Sequence, residues 1–140
     1  MRVTCGTIIV SNGRMLITHP TNHPFDFWSF PKGLVDKNDE SYLHTAIRET
    51  KEETGIDLMS DDYKFAKELP MVKYQNGKKK IKLFVIETNL DYNDIELHCE
   101  SMVYQRNRDP FPECDRYKWV SFNHAMFLLH EAQKRALYFY

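Results

Sequence analysis

Two Asn-Gly pairs set the first limit on the fold. Asn12-Gly13 separates the apolar runs Val3–Val10 and Met15–Thr18, and Asn76-Gly77 separates Met71–Tyr74 from Lys80–Ile86. Both residues of such a pair tolerate positive φ, so Asn-Gly between apolar runs predicts a tight hairpin. Beyond the second pair the side chains alternate, with Lys80 and Lys82 on one face and Ile81 and Leu83 on the other. Helical spacing appears twice. Leu43, Ala46, Ile47 and Thr50 form a stripe that predicts a helix from about Ser41 to Thr54, with Gly55 as its C-terminal cap. Ala125, Leu128, Leu129, Ala132 and Ala136 predict a second helix from about Asn123 to Leu137. The polar stretch from Gln105 to Arg116, with Pro110 and Pro112, reads as a loop. Strands, helix, strands, helix is the order of an α/β protein with helices packed on a mixed sheet.

The 140 residues suit a single domain, 1–140, able to bury a core without staples. Nineteen basic against twenty acidic side chains leave a net charge of −1, so no global field draws the protein onto nucleic acid or an acidic membrane. A polyanion must be met locally or through a metal. No apolar run approaches the length of a membrane span, and Met1–Val10 lacks the pattern of a signal peptide. Three widely spaced cysteines, Cys5, Cys99 and Cys114, form no disulfide framework and point to a reducing, cytoplasmic setting. The six histidines form no zinc pattern and read as structural or surface residues. Glycine is scarce. Of the five, Gly13 and Gly77 fall in turns, Gly55 caps a helix, Gly33 opens the segment discussed next, and Gly6 has no evident role.

Glu49, Glu52 and Glu53 stand at i, i+3 and i+4 of the first helix, so their carboxylates share a face lying largely away from the apolar stripe. Like charges so placed repel. Two explanations offset the cost: a solvated face paired with Arg48 and Lys51, or a hard divalent cation, Mg²⁺ or Mn²⁺, taking oxygen ligands.

The whole segment from Gly33 to Ile56 resembles the Nudix box: Gly, five residues, Glu, seven residues, Arg-Glu-apolar-any-Glu-Glu-any-Gly-apolar. Gly33, Glu40, Arg48, Glu49, Glu52, Glu53, Gly55 and Ile56 fill its fixed positions. Thr50 takes an apolar slot, and six residues, not five, separate Gly33 from Glu40. Asp39 stands at the expected distance from Gly33 but spoils the spacing to Arg48. Alignment through Glu40 is preferred, because an extra loop residue is cheap whereas a slip within the helix rotates later side chains by about 100°. The resemblance implies a Nudix α/β/α sandwich with a mixed sheet between helices, and a loop–helix–loop that binds Mg²⁺ or Mn²⁺. It implies Glu52 and Glu53 as metal ligands, Glu49 as a third ligand or as the catalytic base, and the Gly33 carbonyl as a further ligand. It also implies Glu40 and Arg48 as a structural pair.

The lead-in Trp28-Ser-Phe-Pro-Lys32-Gly33 is similar to two branches of that family, the dinucleoside polyphosphate (diadenosine tetraphosphate) hydrolases and the mRNA-decapping enzymes. Glu113, Tyr117 and Trp119 match in spacing a segment of the first branch, which makes dinucleoside polyphosphates the leading substrate class. Cleavage of an RNA 5′ cap or polyphosphate is the runner-up. ADP-ribose, nucleoside triphosphates and diphosphoinositol phosphates stay open, as does a module that binds nucleotide or RNA without cleaving it. By this resemblance Glu113 is an added metal ligand or the base, and Lys32 touches phosphate. Trp28, Phe25, Phe27 and Tyr74 are candidates to stack a base, with core packing as the alternative for each. Lys80, in the run Lys78-Lys79-Lys80, and Tyr117 complete the candidate substrate contacts. Arg106 and Arg108 lie in a stretch, 95–112, that reads as a substrate-specific insertion.

Overall fold

The computed structural model describes residues 2–140. Its central pair is parallel, β1 (Arg2–Ser11) on β6 (Lys79–Thr88), registered from Arg2↔Lys79 to Val10↔Glu87. The remaining pairings are antiparallel, so the sheet is mixed. β2 (Arg14–Pro20) joins one end of β1, and β3 (Lys32–Leu34) joins the other. β4 (Tyr63–Glu68) and β5 (Val72–Lys73) share β6 in the same way. β9 (Cys114–Val120) lies outside β2. A separate ladder joins β7 (Met102–Val103) to β8 (Phe111–Pro112), and both β8 and the start of β9 fall in the 105–116 stretch expected to be loop.

Both turns form, in different ways. Asn12 and Gly13 take φ of 49° and 73°. At the second turn only Gly77 is left-handed, at 68°, and its N–H donates to the Tyr74 carbonyl at 2.9 Å.

Strand alternation splits the core into two layers. On one face Ile9, Leu16 and Ile86 meet Ile56 and Leu58, while Cys5 and Phe84 meet Ala46 of α1 (Tyr42–Thr54). On the other, Ile8, Ile17, Leu83 and Val85 pack against Ala125, Leu129, Ala132 and Leu137 of α2 (Phe122–Leu128), α3 (Glu131–Leu137) and their junction. Each such aliphatic side chain contributes about 1.5–3 kcal/mol by leaving water.

The C-terminal helix is broken where one continuous helix is expected. Leu129 and His130 are extended, with ψ of 154° and 169°. The break lets Leu129 bridge to Trp28 and lets the buried Gln133 side chain accept the Phe30 N–H at 2.8 Å. Gly6 also finds its reason. A Cβ there would collide with the Pro31 carbonyl and the Lys32 side chain, so the close approach is made by the chain's own β3.

Candidate active site

Helix α1 starts on the Ser41 hydroxyl, which accepts the His44 N–H, and ends at Gly55 with φ of 78°. A side chain at position 55 would strike the His98 ring. The stretch around His98 crosses the last turn of α1. The His98 N–H donates to the Thr54 carbonyl at 3.1 Å, and the Glu100 and Ser101 N–H groups donate to Glu52 at 2.7 and 3.0 Å. Carbonyls left open at a helix end are thereby satisfied. Residues 95–112, read as an insertion, therefore clamp the helix. The same stretch brings Ser101 to Glu113, through a hydroxyl-to-carboxylate bond of 2.8 Å and a Glu113 N–H to Ser101 carbonyl bond of 2.9 Å.

Two of the three helix carboxylates are buried, Glu49 against Gly33 and Glu53 against Lys32 and Cys114. Glu49 is 7% exposed and Glu53 4%, so the face expected to lie away from the apolar stripe is covered. Glu49, Glu53 and Glu113 each offer an oxygen within 4.8 Å of the others. Burial pushes the Glu53 carboxyl well above the usual carboxylate range, and the charges of Glu113 and Glu49 push it further. Glu49 is raised by burial and then by Glu52. Glu53 Oε1 accepts the Lys32 N–H at 3.4 Å and the Cys114 thiol at 3.6 Å, while its buried Oε2 has no protein partner. Three crowded carboxylates, with one oxygen orphaned, fit a hard divalent cation. Gly33 packs directly on the Glu49 carboxylate, in space that any Cβ would fill.

Glu52 lies outside this triad. Its carboxylate is held by Arg48 Nη1 at 3.2 Å and is partly exposed. Arg48 makes the larger correction. It does not pair with Glu40, which is exposed. Its Nε and Nη2 fork onto Asp39 at 2.9 and 2.8 Å, and Nη1 reaches Glu49 Oε1 at 2.9 Å. The guanidinium holds the Asp39 carboxyl far below its ordinary range.

The candidate substrate contacts divide. A cavity of about 620 Å³ beside Glu53 and Glu113 is lined by Lys32, Tyr74 and Phe27, which the sequence singles out, and by Lys79 and His130. Lys80 does not line it. The alternation that sends Ile81 and Leu83 to the α2–α3 layer carries Lys79 with them and turns Lys80 to the other face, and that parity is present in the sequence. Trp28 is 2% exposed and packs in the core, so it offers no face to a base. Phe25 is exposed, with Arg116 stacked 4.1 Å from its ring centroid, and is absent from the cavity wall. Tyr117 donates to the Glu53 carbonyl at 2.5 Å and packs in the α1 layer, bracing the helix rather than meeting substrate. Arg108 stacks 4.2 Å from the Phe111 ring centroid. Of the residues missed, Asp39 had a spacing signal. His130, Gln133 and Ser101 had none, since each depends on a tertiary contact. On the other side of the triad a groove of about 590 Å³ runs past Gly33, Asp36, Lys37, Arg48, Glu49 and Glu113. Glu113 borders both spaces.

The NUDIX domain family matches residues 1–140. The chain belongs to the Nudix family. It is 36% identical over 115 residues to the mouse bis(5′-nucleosyl)-tetraphosphatase (asymmetrical), covering 72% of this chain and 75% of that protein. It is 30% identical over 110 residues to an uncharacterised 17.7 kDa protein of Enterobacteria phage T4, covering 77% and 70%. The fold of a Caenorhabditis elegans Ap4A hydrolase in a binary complex superimposes with a TM-score of 0.72 at 20% identity, over 99% of this chain and 93% of that one. The Escherichia coli ORF135 protein follows at 0.66 and 19% identity, over 99% and 87%. The sandwich of a mixed sheet between helices is thus the Nudix fold, and Nudix enzymes act with divalent metals on nucleotide derivatives. Among the described residues no helix is long and apolar enough to cross a membrane.

Proposed function

We propose that the protein hydrolyses a phosphoanhydride of a dinucleoside polyphosphate such as diadenosine tetraphosphate, with Mg²⁺ held by Glu53 and Glu113 and with Glu49 as third ligand or as base. One observation carries this reading: the carboxylate triad sits between a cavity with an aromatic wall and an open groove, and Glu113 borders both. A substrate with a nucleoside at each end fits such a site, with its phosphate chain across the triad. The mouse relative's name, a bis(5′-nucleosyl)-tetraphosphatase, agrees with it.

The residues divide the work. A bound cation supplies Lewis acidity and lowers the pKa of a coordinated water. Lys32 and Lys79 neutralise phosphate oxygens at the cavity side. Arg48 holds Glu49 Oε1 and so fixes which carboxylate oxygen stays free. Where Glu49 serves as base, its Oε2, left free by Arg48, takes the proton of the attacking water. Ser101 orients Glu113. Water adds to phosphorus, the anhydride P–O bond breaks, and two nucleotides leave.

The test is a Mg²⁺-dependent hydrolysis screen across diadenosine tetraphosphate, capped RNA, ADP-ribose and nucleoside triphosphates. Diadenosine tetraphosphate should be cleaved with the highest kcat/KM. Rapid cleavage of capped RNA with inert dinucleoside polyphosphates would overturn the assignment.

A further inference from the structure

Part of the cavity wall is aromatic. The Phe27 and His130 rings stack at 5.7 Å between centroids and 14° between planes, and Tyr74 stacks on His130 at 5.8 Å and 30°. His23 extends the row beyond Phe27 at 5.0 Å, and Lys79 Nζ caps it 4.7 Å from the Tyr74 centroid. All five side chains line the cavity.

Hydrogen bonding fixes where the His130 proton sits. Phe30 N–H donates to Gln133 Oε1 at 2.8 Å, which settles the orientation of the Gln133 amide. Its Nε2 then lies 2.9 Å from Ser29 Oγ and 2.9 Å from His130 Nε2. The Ser29 hydroxyl proton is already donated to the Phe30 carbonyl at 2.7 Å, so Ser29 accepts from Gln133. The second amide proton goes to His130 Nε2, which must be an acceptor. A neutral imidazole with an accepting Nε2 carries its proton on Nδ1. Nδ1 makes no hydrogen bond among the described residues. Charged groups around the ring agree. Burial, then Lys32, Lys79 and Lys134, hold His130 down at about 4. The phenol of Tyr74 and the second imidazole, His23, complete the titratable neighbours in the row.

We propose that His130 reads the nucleobase in this cavity, donating from the Nδ1–H of a neutral imidazole to an acceptor on the base edge, and that Gln133 is the positioning residue that sets its tautomer. The base meets this row at its ring edges, because Phe27 and Tyr74 cover the two faces of His130. A fixed donor discriminates, because a base offering a donor at that point leaves both groups unpaired. The ligand class rests on the nucleotide reading above; the tautomer does not.

Two measurements test this. Calorimetry compares ADP and inorganic tripolyphosphate as probes, each with Mg²⁺, on the wild type and on His130→Phe, which keeps the ring stack and removes the donor. Loss of one hydrogen bond should weaken ADP about tenfold, with tripolyphosphate unchanged within about twofold. Equal weakening of both probes, or unchanged ADP binding, overturns the base-reading role. If ADP fails to bind the wild type, the nucleotide reading falls and takes this role with it; normal wild-type binding with an indifferent variant sinks the role of His130 alone. The second measurement needs no variant. Nitrogen-15 spectra of wild-type His130 should show the Nδ1–H tautomer with no titration from pH 5 to 8. An Nε2–H tautomer, or titration in that range, overturns the role of Gln133.

Discussion

Glu53→Gln should stabilise the metal-free protein while removing its activity. The three ligand oxygens lie within 4.8 Å of one another. At that separation and an effective dielectric of about 20, each fully charged pair costs about 3.5 kcal/mol. Burial and the neighbouring carboxylates raise the Glu53 pKa, and a proton there relieves this repulsion. The cost of holding that proton is limited to about 1.4 kcal/mol for each pH unit above the ordinary carboxylate value of 4.5. The ceiling at pH 7 is therefore about 3.5 kcal/mol. The sign follows from proton linkage. The folded-state pKa lies above the unfolded one, so between them the folded state binds more protons, and stability falls as pH rises through that window. Glutamine removes the penalty and the slope together. Thermal melts in EDTA from pH 5 to 8 should show the variant's advantage growing with pH, reaching up to about 10 °C at pH 7. Millimolar Mg²⁺ should raise the wild-type midpoint and leave the variant's flat, because only the folded wild type presents the full ligand set. Turnover should drop at least about a hundredfold. Parallel pH dependences of the two proteins in EDTA would refute the crowded-carboxylate account, and unchanged turnover would refute the site.

Three further outcomes follow from the same geometry. Asp39→Asn should cost about 1.5–3 kcal/mol, since it removes the charged acceptor of the Arg48 fork while Glu49 and Glu52 still hold Nη1. Glu40→Ala should stay within about 0.5 kcal/mol, and equal losses in denaturant titrations would contradict the Asp39 pairing. The depressed Asp39 pKa makes its contribution fully present above the unfolded carboxylate value and lost as pH falls below it, so the wild type should outlast Asp39→Asn near neutrality and converge with it in acid. Lys79→Ala should raise KM about tenfold with Lys80→Ala near wild type; steady-state kinetics showing the reverse would place the wrong face of β6 in the cavity. Gly33→Ala should cut kcat more than it shifts the melting midpoint, because the new methyl occupies the space of the Glu49 carboxylate. Wild-type kcat in a folded Gly33→Ala protein would show that Glu49 has room to spare.

Local chemistry was legible where it decides structure alone. The Asn-Gly turns, the Ser41 start and the Gly55 stop of α1 each depend on φ/ψ preferences or caps within a few residues, and each appears. The break at Leu129–His130 does not announce itself, because the apolar spacing from Ala125 to Ala136 runs straight through it. It is imposed by a partner about a hundred residues earlier, the strip from Trp28 to Phe30, which takes a bridge from Leu129 and donates the Phe30 N–H to Gln133 Oε1. Burial of Glu49 and Glu53 is equally non-local. A helix seen alone puts the carboxylates on its outer face, and residues distant in sequence cover them, Gly33 over Glu49 and Lys32 with Cys114 over Glu53.

The choice between Asp39 and Glu40 shows where a spacing rule stops deciding. The helix register had to be kept, and it is, with Arg48, Glu49 and Glu53 on adjoining turns of α1. Both acids precede the Ser41 cap, so neither assignment disturbs that register, and the cheapness of an extra loop residue applies to either. What separates them is closure of the loop. Asp39 Oδ2 accepts the Asp36 N–H at 2.8 Å and the Thr45 hydroxyl at 2.8 Å while both its oxygens face Arg48. A short side chain fits that turn and cap at once. Glu40 instead donates its backbone N–H to His44 Nδ1 at 2.9 Å and is exposed. The extra residue therefore falls after the pairing acid, at the helix entrance, which leaves the loop between Gly33 and Asp39 at the family length and keeps Gly33 pressed on Glu49. An aspartate takes the place of the usual glutamate, and the Arg48 fork that steadies Glu49 is retained.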